Sequence, residues 1–237
     1  MASTSRTRWV ALLAAANTLF SPWAVAQDTY PARPITIVVP YPSGSSNDVF
    51  ARLVGKALAN AMKATAIIEN RPGASGNTGT APVAKANADG YTLEAVSSSM
   101  TPHAAIQSKM PIDPVKSFAS VAMFAKGPFI VAVNNGFPVK NPADPVAALR
   151  RQPGKFNYAS SGIGSSNQFA TEMLKTATGS FVVHVPYRGM APAVTGLIGG
   201  ETQLLIASGP SLLPQMRSSR IRAVGITSLA PSTVAPT

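Results

Sequence analysis

Residues 35–50 read ITIVVPYPSGSSNDVF, and three local patterns meet in them. Ile35–Val39 is a short β-branched run, the signature of a buried strand. Pro40 to Ser46 is a turn built of Pro, Gly and Ser. From Asn47 the apolar positions Val49, Phe50, Leu53, Val54, Ala57, Leu58 and Met62 recur at helical spacing, with Asn47 or Ser46 suited to cap the start. Strand, small-residue loop and helix together form the unit of an α/β fold, whose ligands lie at the carboxyl ends of strands.

The unit repeats. ATAIIEN (64–70) predicts a second strand, RPGASGN (71–77) a second glycine turn, residues 78–87 a helix, and DGYTLEAVSSS (89–99) a third strand that runs into serines. A second half restarts at FIVAVNNG (129–136), followed by a helix over 142–151. GKFNYASSGIGSSNQFATEMLKTATG (154–179) then restates the opening device: a strand end, a loop from Ser160 to Ser166, and a helix from about Asn167. FVVHVPY, TQLLIAS and IRAVGIT read as further strands, APAVTGLIGG and SLLPQMRSS as helices. The pattern predicts parallel sheets and two similar cradles, one in each half.

A helix start leaves backbone N–H groups unpaired and carries the positive end of the helix dipole, so each cradle suits an anion. Glycine lets the anion approach, and serine adds donors without charge. The phosphate-binding pattern G-x-x-x-x-G-K-[ST] is missing its lysine at both loops, and no G-x-G-x-x-G occurs. Ser165 is the serine to weigh as a nucleophile, but neither loop carries G-x-S-x-G, and only His103 or His184 is available as the base. His184, between Val183 and Val185, reads as a structural residue at a strand end.

Composition narrows the partners. The 237 residues include no cysteine and two histidines, which leaves no disulfide framework and no expected metal or cofactor site. Residues 1–26 have a basic start (Arg6, Arg8), an apolar stretch (Trp9–Phe20) interrupted by Asn17, and a small-residue end, Ala24-Val25-Ala26. This is the pattern of a cleavable secretory signal rather than an anchor. Removing Arg6 and Arg8 leaves 18 basic residues against 9 acidic, a formal charge of +9. The basic residues are scattered and aromatics are few, so a small acidic solute fits the charge better than nucleic acid.

Five blocks now carry a family resemblance: YPARPITIVVPYPSGSSNDVFARLVGKAL, IIENRPGASGNTGTAPVAKANADGYTL, PIDPVKSFASVAMF, PGKFNYASSGIGSSNQFATEMLK and HVPYRGMAPAVTGLIGGETQLL. In this order they resemble the Bug (TctC-like) family, the periplasmic solute receptors of tripartite tricarboxylate transporters. The resemblance implies a type II periplasmic-binding-protein fold, two α/β domains with a ligand cleft between them. It divides the chain into a signal peptide (1–26), a first domain (27–125, with 222–237 returning to it) and a second domain (126–221). It implies capture of a small carboxylate by a monomer working with the transporter's membrane subunits, not an enzyme.

By the same resemblance, Tyr41, Ser43, Gly44, Ser45, Ser46 and Asp48 form the first grip, and Ser160, Ser161, Gly164, Ser165, Ser166 and Asn167 the second. Gly76, Asn77, Ser97 and Ser98 complete the wall. The chain departs from the family at Gly44-Ser45, where Gly-Gly is usual and a Cβ restricts a turn of positive φ. It also departs at Ile163, at Gln168 and at Ala207, which ends a strand expected to point to the cleft. Family members continue past the segment like ITSLAPSTVAPT, so a truncated, non-functional remnant of such a receptor is the alternative expectation.

Overall fold

The computed structural model describes residues 30–73, 76–107, 112–139 and 144–230. The expected signal peptide at 1–26 lies outside them. Tyr30–Ala32 belong to the preceding unit and carry a cis Tyr30–Pro31 peptide; from Arg33 onward the chain forms one compact unit holding two sheets.

The first sheet has β1 (Ile35–Val39) at its centre, flanked by β2 (Ala66–Asn70) and β3 (Thr92–Glu94), all parallel. Ile37 lies opposite both Ile68 and Leu93. Three helices accompany it: α1 (Ser46–Met62), α2 (Asn77–Ala84) and α3 (Met100–Ile106). Helix α1 buries small residues, Ala51 and Gly55, together with Asp48, while Val49 and Leu53 of the expected apolar stripe are exposed. The reason is closeness. A Cβ on Gly55 would stand 2.9 Å from Ile68 Cδ1, so α1 lies too near the sheet for large side chains on its inner line.

The second sheet has the order β6-β5-β7-β4-β8, from β4 (Phe129–Asn134), β5 (Asn157–Ser160), β6 (Val183–Pro186), β7 (Leu204–Ser208) and β8 (Ile221–Ile226). It is mixed, not parallel as the pattern predicted. Strand β5 runs parallel to β6 and β7, whereas β4 runs antiparallel to β7 and β8. The other strands are reached through helices: α4 (Asp144–Arg151), α5 (Ser166–Thr178), α6 (Met190–Gly199) and α7 (Gly209–Arg217). Strand β4 instead arrives from the first half, so no crossover within its own sheet sets its direction.

A second correction concerns residues 222–226. They pair with β4 as part of β8 in the second sheet, where the family resemblance had them returning to the first domain. Arg222 holds them there by donating to the carbonyls of Phe137 and Val139.

Both faces of this sheet are covered. Leu205, Ala207, Ile130 and Leu212 belong to one apolar cluster with α6, and Leu204, Tyr158, Phe156 and Leu149 to the other. Double coverage explains why LLIA of β7 is apolar throughout instead of alternating. Ala207, next to the end of that strand, is itself fully buried in the first of these clusters.

Candidate functional site

The two cradles are built on one plan. Gly44 (φ +79) and Gly164 (φ +80) each take a left-handed turn that favours glycine. The next residue, Ser45 or Ser165, caps the following helix by accepting from the N–H three positions on, at Asp48 or Gln168. The side chain at that third position reaches back to the glycine: Gly44 N donates to Asp48 Oδ2 at 2.9 Å, and Gly164 N donates to Gln168 Oε1 at 2.7 Å. This is a variant of the reciprocal capping box, with the glycine amide in place of the cap's own. The signal was present in the sequence as GSSND (44–48) and GSSNQ (164–168). Ser45 itself has φ −67, so its Cβ meets no restriction where the family's Gly-Gly suggested one. Ser45→Ala is expected to cost about 1 kcal/mol in a denaturant melt, the usual price of a lost serine cap.

Asp48 anchors the first cradle and is not open to a ligand. Its buried carboxylate accepts from Gly44 N, from Arg52 Nε at 3.0 Å and from Asn70 Nδ2 at 2.9 Å. Burial alone would push this carboxyl up. The hydrogen bonds from Arg52, Gly44 and Asn70, with the Arg52 charge, outweigh burial and hold it below the ordinary carboxylate range. Ser43, on the exposed rim, lies at the limit of hydrogen-bond reach, 3.5 Å from Asp48 Oδ2.

In the second cradle Ser160, Ser161 and Asn167 are framework. Ser160 is fully buried and bonded to His184 Nε2 at 2.7 Å; Ser161 donates to Asn167 Oδ1, and Asn167 donates to the Ile206 carbonyl. His184 stacks on Tyr158 with ring centroids 4.7 Å apart, and burial lowers its basicity below the ordinary histidine value. The Ser160–His184 pair has the reach of a nucleophile and base. Yet Ser160 has no exposed surface, and His184 Nδ1 faces the Gln168 amide at 3.4 Å where a triad needs a carboxylate. Ser165, the serine weighed from the sequence, is occupied as a helix cap.

The two halves meet through serines. Ser46 Oγ lies 2.7 Å from Ser208 Oγ and 2.9 Å from Ser211 Oγ. Ser99 Oγ donates to Ser166 Oγ at 3.0 Å and accepts from Ser166 N. Gly189, at the start of α6, faces Pro42. The amino ends of α1 and α7, and of α3 and α5, therefore meet in pairs across the cleft. Ser99, Ser208 and Ser211 were missed in the sequence, although Ser99 and Ser208 directly precede α3 and α7 and Ser211 stands in the first turn of α7.

The remaining wall residues separate. Tyr41 OH bonds Ser97 Oγ at 2.8 Å, and Tyr41, Gly76 and Asn77 line a small cavity in the first half. Ser98 is exposed. Arg71 is paired with Glu69, and Arg188 is exposed. Among the described residues, no three of His, Asp and Glu are placed to hold a metal ion, and no helix is long and apolar enough to cross a membrane. The amides of Ser46, Asn47 and Asn167, in the first turns of α1 and α5, find no protein acceptor among the described residues. The arrangement can offer uncharged donors, backbone N–H and serine hydroxyl, to an anion held between helix starts.

Residues 50–237 match the family model described as the tripartite tricarboxylate transporter family receptor, TctC. The chain is 37% identical over 215 residues to protein BugT of Bordetella pertussis, a match covering 90% of this chain and 66% of that protein. Among solved structures it is similar to an R. palustris protein solved with adipate (33% identity, TM-score 0.79), covering 84% of this chain and 67% of that one. It is also similar to MatC of Rhodopseudomonas palustris with bound malate (27% identity, TM-score 0.76), covering 84% and 68%. The chain thus spans about two thirds of the length of the relatives it matches.

Proposed function

The chain belongs to the family of tripartite tricarboxylate transporter receptors, and we propose that it is a periplasmic receptor that captures a small carboxylate between its two glycine–serine cradles. The observation that carries this reading is the pairwise meeting of four helix amino ends across the cleft through Ser46, Ser208, Ser211, Ser99 and Ser166. A carboxylate placed there gains from the helix dipoles and from backbone and hydroxyl donors, with no permanent ion pair to slow its release. The adipate and malate of the two R. palustris structures are of this class.

In this reading the residues 1–26 direct export and are removed, and the acid docks on one cradle. The second cradle completes its hydrogen bonds, and membrane subunits of the transporter recognise the closed monomer. Binding without bond-making is the function, and the buried Ser160 fits that role.

A thermal-shift screen against succinate, malate, adipate, citrate and benzoate tests it. Because only the folded chain binds, an acid at a hundred times its Kd raises the melting midpoint by about 5–10 °C. The acid is recovered unchanged after incubation. A cooperative melt that no acid moves, or an acid that is consumed, contradicts the reading.

A further inference from the structure

We propose that His103 reads the second oxygen-bearing end of the bound acid and so sets a preference for dicarboxylates; this rests on the receptor reading above. His103 is 5% exposed, and among the described residues neither of its ring nitrogens has a hydrogen-bond partner. Native interiors seldom leave a buried polar group in that state, because the lost hydration is not replaced. His184, the other histidine, is by contrast bonded through Nε2 to Ser160.

Position gives the unused imidazole its role. It stands on α3 four residues after Ser99, the serine that meets the second cradle, and it borders the small cavity lined by Tyr41, Asn77 and Thr80. The polar ends of those three are engaged: Tyr41 OH with Ser97, Asn77 Nδ2 with Gln107, and Thr80 Oγ1 with Glu94. On its other side the ring packs on Gly164, where a Cβ would stand 2.4 Å from Nδ1. The imidazole therefore lies between the second cradle and the first-half cavity, in contact with the glycine of one acid-gripping loop. A monocarboxylate satisfies the cradles alone. A second carboxylate supplies the oxygen that His103 lacks.

The test compares adipate with hexanoate by titration calorimetry in the unaltered chain and in His103→Leu, which keeps apolar packing and removes both nitrogens. The unaltered chain is expected to bind adipate more tightly. His103→Leu loses about tenfold in adipate affinity, keeps its hexanoate affinity, and melts at the same or a higher temperature without ligand, since a buried unpaired polar group has been removed. His103→Asn shows the same sign at smaller size and decides the matter if the leucine variant does not fold. Equal losses for both acids, no loss, or an unaltered chain that binds the two acids equally overturns the His103 proposal alone. An unaltered chain that binds neither acid overturns the His103 proposal, whereas the receptor reading falls only if none of the acids of the thermal-shift screen binds.

Discussion

Gly164→Ala is expected to weaken acid binding at least a hundredfold while leaving a cooperatively folded chain. The new Cβ meets His103 Nδ1 at 2.4 Å, Ile106 Cδ1 at 3.0 Å and the His103 Cα at 3.2 Å. The last of these is backbone and cannot swing aside, so α3 has to shift away from the second cradle by a few tenths of an ångström, which strains the Ser99–Ser166 contact. A loss of about 2.7 kcal/mol in binding free energy corresponds to that hundredfold. Positive φ adds a separate folding cost of about 1 kcal/mol, because L-residues avoid the left-handed region. Gly179→Ala separates the two effects. Gly179 also has positive φ (+61), but nothing lies within 4 Å of its added Cβ. That variant should show the folding cost and unchanged affinity. Titration calorimetry beside a circular-dichroism melt reads both quantities.

Asp48→Ala is expected to lower the unfolding free energy by about 2 kcal/mol, because it leaves the Gly44 amide without its acceptor and the Asn70 side chain with only the Tyr41 carbonyl to accept from it beneath the first cradle. Arg52 keeps its hydration and adds little, being half exposed. The same carboxylate gives stability a pH dependence of known sign. Its folded-state pKa is depressed, so the unfolded chain takes up a proton more readily on acidification. The contribution is complete above the unfolded value near 4 and is lost as pH falls from there through the lower folded value. Denaturant melts between about pH 3 and 6 should show a fall in the native chain that is shallower in Asp48→Asn.

Much of this architecture was legible because the strands announce themselves. ITIVV (35–39) and LLIAS (204–208) are apolar but for Thr36 and Ser208, and their apolar residues are buried as such runs predict. The cradles were legible because left-handed turns and helix caps have strict residue requirements, which the repeated GSSN satisfies twice. Other features depend on what lies across space. Helical periodicity put Val49 and Leu53 on the core face, but the close approach of α1 at Gly55 turned small residues inward. Likewise nothing local in FIVAVN (129–134) sets the direction of β4, and nothing in RAVGI (222–226) says which sheet it joins. Asp48 carried the local signal of a ligand contact, but its carboxylate is buried beneath the first cradle, where Asn70 and Arg52 converge on it from 22 and 4 positions away.

The measurement closest to the central claim is amide hydrogen exchange with and without the acid that gives the largest thermal shift, followed over residues 44–49 and 164–169. If one carboxylate is held between two helix starts, exchange at both segments slows together on binding, including the amides of Ser46, Asn47 and Asn167 that have no acceptor among the described residues. Protection confined to one segment, or spread elsewhere with both segments unchanged, would contradict capture between the cradles.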